Sequence, residues 1–392
     1  MSGEFKRHLV STFNADLIIP IYSVLLPLLA YRLGGSVFEV GLVGAAANGV
    51  YCFMPFVMGR IADRDGVRLF FVTSSFAILG VVSVSYVFIQ SPVTLIVARV
   101  FEGIGWAMLW PAIEAAIRDS MPDAKRALSI FNFTWSGGAA IGPLVGLAII
   151  FFTTLRTAFV ITSILMFVTL LLNIGSLLKV HGHTTFVKEV STDAVPSVGP
   201  DRRFGSKFYI PSMTLAAVSS GVLYTFLGAY AGSISMPLTL VLVSTFMFGF
   251  ARFLMYLLTM KERFRSFVLF RKNRARNTIV SLIVMSLSSL LVLVRDPTGI
   301  IYLAAYGIAG AGYSMVYVIS QTAVIADAGP KTVGRSAGLF ESSIGIGQFF
   351  GPALAGAISG TSLSMPFVFP SVSLVVFLVA MPFITRKRNS VD

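Results

Sequence analysis

The chain has 392 residues, of which 56% are hydrophobic and 12% charged, with a mean hydropathy of +0.85; a soluble globular domain carries about 25% charged residues, so a soluble fold is excluded. Its 30 Lys and Arg against 17 Asp and Glu give a formal net charge of +13, yet the bases are spread over many loops and form no single basic surface, which argues against a nucleic-acid partner. The one cysteine, Cys52, excludes an internal disulfide framework and any Cys-based metal site.

In chain order, windows of about nineteen residues predict spanning helices near 10–31, 37–58, 69–89, 93–117, 127–152, 157–178, 208–230, 237–260, 277–294, 299–325, 336–358 and 365–385. At 1.5 Å per residue such helices cross a hydrocarbon core of about 30 Å. Prolines within them (Pro20, Pro27, Pro111, Pro143 and Pro352) are tolerated where neighbours or local distortion satisfy the freed carbonyl. The polar start MSGEFKRH enters the first span without a small-residue cleavage site, so a retained first helix is expected. Placing both termini in the cytoplasm puts 25 of the 30 Lys and Arg on that side. Only Arg32, Arg156 and Arg295 fall opposite, while Arg99 and Arg252 lie inside spans. The positive-inside bias selects this orientation, for a multi-pass protein of the cell membrane.

The second half repeats the first. RALSIFNFTWSGGAAIGPLVG (126–146) aligns without a gap on RSAGLFESSIGIGQFFGPALA (335–355), matching Gly138 with Gly347, Gly142 with Gly351 and Pro143 with Pro352. The expected fold is an all-α membrane protein of twelve helices in two six-helix parallel-repeat halves, 1–178 and 208–392. A polar cytoplasmic linker, 179–207, joins them, and the substrate site is expected near the midplane between the halves. Gly138, Gly142 and Gly146 at i, i+4 and i+8 share one helical face, on which another backbone can approach closely.

GRIADRDGVRL (59–69) packs five charges into eleven positions. Gly66 suits a sharp turn, Gly59 a close helix approach, and Asp63 a carboxylate placed to meet Arg64, Arg68 and the positive end of another helix. This stretch resembles the loop motif of the major facilitator superfamily, Gly-x-x-x-Asp-Arg-x-Gly-x-Arg, and lies between the second and third helices as in that family. RVFEGIGWA (99–107) resembles the family's fourth-helix motif, and GAAIGPLVG (138–146) the fifth-helix motif of its drug/proton antiporter branch. Val67 stands at a usually basic position. The loop after the eighth span, FVLFRKNRAR, keeps the bases but lacks the Asp and Gly. The resemblance implies a latch in which Asp63 with Arg64 and Arg68 biases the inward/outward equilibrium; the alternative is that these charges only solvate a turn and orient the chain.

Charges inside spans are costly, and so are functional candidates: Asp16, Arg99, Glu102, Glu114, Arg252 and Glu341. On the fourth helix Arg99, Glu102, Trp106, Trp110 and Glu114 fall on one face, and Arg99 with Glu102 at i, i+3 can form a proton-sensitive pair or a static salt bridge. On the tenth, Tyr302, Tyr306, Tyr313 and Tyr317 align with Gln321, as ordinary packing or, since the family lines its cavity with these helices, as a wall that stacks on or hydrogen-bonds a ligand. Arg252 either snorkels to the cytoplasm or meets an anionic substrate. His8, His181 and His183 are too sparse for a metal site, and no P-loop is present, so no metal, cofactor, ATP-driven step or enzymatic activity is expected. The expected function is a monomeric secondary transporter whose partners are a small-molecule substrate, protons and the lipid bilayer. It would export a small amphipathic or cationic compound against protons, using Asp16, Glu102 and Glu114 as exchangeable carboxylates. A facilitator or symporter for a polar or anionic metabolite is the alternative, and a transport-dead receptor or scaffold of the same fold a third reading.

Overall fold

In a hydrocarbon solvent each backbone N–H and C=O needs a partner within its own segment, and a sequence this apolar answers with helices. The computed structural model describes residues 3–34, 37–64, 66–182, 205–234, 236, 238–294, 296, 298–329, 332–358 and 364–385. Its helices are α1 (Gly3–Arg32), α2 (Val37–Tyr51), α3 (Met54–Ala62), α4 (Val67–Phe88), α5 (Pro92–Asp119), α6 (Ala124–Phe152), α7 (Leu155–Gly182), α8 (Gly205–Ser233), α9 (Leu238–Met260), α10 (Glu262–Leu269), α11 (Arg271–Leu291), α12 (Ile300–Gln321), α13 (Val333–Ile358) and α14 (Phe369–Thr385). Among the described residues there is no strand, and seven helices are long and apolar enough to cross a membrane. Most of the predicted linker, 183–204, and Arg295 lie outside the described residues, as does the Pro143 side chain.

Each predicted span falls on a helix, with two local differences. The predicted 37–58 span is broken into α2 and α3, because Pro55 has no N–H to continue the ladder. At the break the Phe56 N–H donates to Ser342 Oγ at 3.1 Å as well as to Phe53 O at 3.2 Å. The second difference is α10, a short helix within the predicted loop 261–276.

Contacts divide the chain into two units. One comprises 1–199 with 325–342, the other 200–324 with 343–392, so the first ten residues of α13 group with the N-terminal helices. In both units polar groups are buried while many large apolar side chains face out. Asp16, Glu102, Glu114, Asn173 and Ser314 are buried, whereas Phe88, Leu171 and Val379 are exposed, the arrangement suited to a lipid solvent rather than water.

The repeated glycine motif packs the same way in each unit. A Cβ on Gly138 would come within 3.0 Å of Leu17 N, and one on Gly142 would meet Leu17 O, so α6 lies backbone to backbone on α1. A Cβ on Gly347 would stand 2.8 Å from Val218 N, and one on Gly351 2.8 Å from Val218 Cα, which seats α13 on α8.

The start of α12, which carries the tyrosines, is held by Asp296. Its Oδ2 accepts from Ile301 N at 2.8 Å, and its Oδ1 from Thr298 N at 2.9 Å and Thr298 Oγ1 at 2.7 Å. The bond from Ile301, followed by those from Thr298, holds this carboxyl below its ordinary range. A depressed folded value means that the cap contributes fully above the ordinary carboxylate range and is lost as pH falls through the lowered one. The melting-temperature difference between wild type and Asp296→Ala should therefore shrink on acidification, and a difference that grows below pH 4 would contradict this.

Candidate functional site

Unit 1 holds three groups of the predicted residues. The first is built on Glu102, which is 3% exposed. Its Oε1 receives Arg99 Nη1 at 2.5 Å and Trp106 Nε1 at 2.9 Å, and its Oε2 accepts from the Tyr86 hydroxyl of α4. Arg99 Nε donates to Val43 O of α2 at 3.0 Å. Behind Tyr86 stands Tyr22 of α1, edge to face at 5.5 Å between ring centres, its hydroxyl bonded to Ser83 and, at 3.1 Å, to Thr162 of α7. The Arg99–Glu102 pair predicted at i, i+3 thus sits in a network that ties five helices together. Both carboxylate oxygens of Glu102 accept from donors, which holds the side chain in place.

The second group surrounds Tyr51 at the end of α2. Its hydroxyl donates to Glu341 Oε2 of α13, and Glu114 of α5 and Asp16 of α1 lie within electrostatic range of the same phenol. Asp16, Glu114 and Glu341 are 7%, 0% and 6% exposed. Of these three acids, predicted on separate helices, Glu341 is bonded to the hydroxyl and the other two act on it at longer range. Trp106 and Trp110 stack nearly parallel at 6.2 Å, with Trp110 edge-on to Phe131, so the aromatic face of α5 runs from the first acid group towards Glu114.

The third group is the charged loop. Gly66 has φ +76° and caps α4, the left-handed turn that requires glycine. Asp63 accepts from Gly334 N at 2.6 Å and Arg335 N at 2.8 Å, the first turn of α13, where unpaired N–H groups and the helix dipole favour a carboxylate. Gly59 makes this possible. A Cβ there would collide with Gly334 O and lie 2.9 Å from Gly338 Cα. Of the two predicted arginines, Arg68 stands 3.9 Å from Asp63 and pairs with Asp119 at 2.6 Å, while Arg64 is exposed and joins no ion pair among the described residues. Arg118 completes the cluster: Nη1 reaches Asp119 at 2.5 Å and Nη2 donates to Ala328 O at 2.6 Å, just past the π-helical turn Thr322–Ala326 that ends α12.

Replacing Asp63 with Asn removes charge-assisted bonds worth about 1.5–3 kcal/mol. Amide exchange at Gly334 and Arg335 should then accelerate at least about tenfold, and Gly59→Ala should reproduce the effect by separating the backbones. Unchanged protection in both variants would reduce the loop to a solvated turn.

In unit 2 the tyrosine face divides. Tyr302 and Tyr306 are fully buried, and Tyr306 donates to Leu223 O at 2.7 Å, a packing role. Tyr313 and Tyr317 instead pack at 6.1 Å beside Phe248 and Tyr256, with Gln321 Nε2 at 3.5 Å from the Tyr317 hydroxyl. Arg252 lies over this group, its guanidinium carbon 5.7 Å from the Tyr313 ring centre and 5.9 Å from that of Phe248, a cation–π distance.

Sequence reasoning missed Tyr51, Tyr86, Tyr22, Arg118 and Asp119 as site residues. The hydroxyls carry no charge to flag them within an apolar run, whereas Arg118 and Asp119 at the end of α5 were legible as a base–acid pair beside the charged loop.

Comparison with known proteins agrees with this architecture. The chain is 25% identical over 360 residues to an uncharacterised MFS-type transporter of Methanocaldococcus jannaschii, covering 89% of each chain. Shorter matches include a glycerol-3-phosphate transporter of Bacillus subtilis, 34% identical over 34% of this chain and 31% of that one. A methyl viologen resistance protein of Salmonella typhimurium is 33% identical over 32% of this chain and 26% of its own. The crystal structure of the nucleoside transporter NupG superposes with a TM-score of 0.70 at 14% identity, over 98% of this chain and all of that one, which shows a shared fold. The sequence profile of the Major Facilitator Superfamily matches residues 9–323, so this multi-pass membrane protein is a transporter rather than an enzyme, and the chain belongs to that superfamily.

Proposed function

We propose that the protein is a secondary transporter that exports a small amphipathic or cationic compound from the cell in exchange for protons. The observation that carries this reading is the bond from the Tyr51 hydroxyl to the buried Glu341, with the buried Glu114 and Asp16 within longer electrostatic range of the same phenol. Burying an ionised carboxylate costs far more than burying its neutral acid, so Glu341, whose bond is to the neutral Tyr51 hydroxyl, is suited to exchange a proton for a cation. A proton and a cationic substrate that compete for one group cannot occupy it together, and exchange follows from that exclusion. Glu102, already matched by Arg99, serves better as the fixed support of this arrangement than as its proton carrier. Asp63 and Gly59 hold α3 to the start of α13, which also carries Glu341, so movement of this seam would be felt at the acid group. The relative named for resistance to methyl viologen, an organic dication, is in keeping with such a substrate.

A second reading, uptake of an anionic metabolite, is favoured by Arg252 above Tyr313 and Phe248 and by the glycerol-3-phosphate transporter among the relatives. A ligand-stabilisation screen on purified protein separates the two, because a ligand that binds the native state raises its melting temperature. Methyl viologen or tetraphenylphosphonium should raise it, with the effect lost in Glu341→Gln. Stabilisation by glycerol 3-phosphate alone, lost in Arg252→Ala, would overturn the first reading in favour of the second.

A further inference from the structure

The loop after α9 keeps the bases of the charged motif but not its Asp or Gly, and a different device occupies its place. Lys261 alone separates α9 from α10, and Phe270 alone separates α10 from α11. With a single residue at each end, α10 stays level with the ends of the two helices it joins. Its inner face is fixed: Val268 and Leu269 are buried, Arg274 Nε donates to Leu269 O at 2.8 Å and Asn277 Nδ2 to Val268 O at 3.3 Å. Its outer side is of mixed chemistry. Phe267 is 60% exposed and Phe270 59%, and between and around them Lys261, Arg263, Lys272 and Arg276 are exposed with Glu262 the one exposed acid among the described residues of 261–276.

Intrahelical electrostatics do not account for these bases. Lys272 and Arg276 lie in the opening turns of α11, whose first turn has no acid, and positive charge there opposes the helix dipole. A short helix whose exposed side chains, with those of its flanks, include both aromatic rings and bases, placed between the end of α9, which is apolar enough to cross a membrane, and the start of α11, matches the chemistry of a headgroup layer. The rings reach the acyl boundary while the bases meet phosphates. A nucleic acid or an acidic protein matches the bases but leaves the two phenylalanines in water.

We infer that α10 and its flanks form a docking surface for anionic phospholipid headgroups of the cytoplasmic leaflet, with Phe267 and Phe270 as anchors. Each base near an anionic surface is worth roughly a fivefold preference, and the attraction decays within a Debye length.

The test uses the full-length chain carrying Cys52→Ser and Phe267→Cys, labelled with bimane, in nanodiscs of phosphatidylcholine alone or with about one-third phosphatidylglycerol. In the anionic discs, quenching by a shallow nitroxide lipid should rise and quenching by aqueous iodide should fall, each severalfold. Both changes should vanish in roughly 0.5 M salt and in the Arg263→Gln, Lys272→Gln, Arg276→Gln triple variant. Equal quenching in the two lipids overturns the inference. So does protection from iodide conferred by polyglutamate or RNA on neutral discs but not by phosphatidylglycerol, which would assign the surface to a soluble partner. Neither outcome bears on proton exchange, which is read by other variants.

Discussion

Arg99→Ala should be the most destabilising single substitution in unit 1, costing about 3–5 kcal/mol. The guanidinium matches the charge of Glu102 at 2.5 Å and binds Val43 O at 3.0 Å. Its removal leaves a carboxylate that is 3% exposed with only the neutral donors Tyr86 and Trp106, and frees a carbonyl of α2. Glu102→Gln in the same chain should recover much of the loss, because an amide carries no charge to be matched. Thermal melting in nanodiscs of the two single variants and the double variant gives the coupling. Additive losses would mean that the pair is not the support described here, and Tyr22, Ser83 and Thr162 would then carry the junction of α1, α4 and α7 alone.

Glu341→Gln should remove the pH dependence of cation binding. If one proton leaves as one cation arrives, affinity for tetraphenylphosphonium weakens on acidification by up to about tenfold per pH unit. The amide cannot exchange a proton, so its binding should be weaker and flat with pH. Tyr51→Phe removes the hydroxyl bonded to Glu341 without altering charge, and should shift the pH profile while keeping its slope. Isothermal titration between pH 5.5 and 8 measures both variants. A Glu341→Gln profile parallel to wild type would move the exchangeable proton to Asp16 or Glu114.

The fold was largely legible because its signals are local. Apolar runs placed the helices, and the glycine repeat announced that α6 and α13 each present a face for close backbone approach, though not that α1 and α8 would be the partners. Asp63, Gly59 and Gly66 could be read from eleven consecutive residues because a turn that needs positive φ and a carboxylate that needs amide donors both leave a sequence signature. Tyr51 and Glu341 could not, since they are 290 positions apart and nothing in either helix specifies the other. The break at Pro55 was not foreseen, since the apolar run 37–58 reads as one continuous span, and at that break the Phe56 N–H donates to Ser342 Oγ. Periodicity put Tyr302, Tyr306, Tyr313 and Tyr317 on one face, yet it carries no information on neighbours. Those neighbours separate the Tyr306 bond to Leu223 from the ring cluster beneath Arg252.

The account stands or falls on whether cation movement carries protons the other way. Proteoliposomes loaded with pyranine and made acidic inside report this directly when methyl viologen, tetraphenylphosphonium or another stabilising cation is added outside, since its entry must then be matched by protons leaving. Wild type should discharge the gradient in proportion to cation moved, and Glu341→Gln should move little cation and no protons. Cation transport by wild type that leaves the pyranine signal unchanged, with Glu341→Gln equally active, would contradict proton exchange at the Tyr51 acid group.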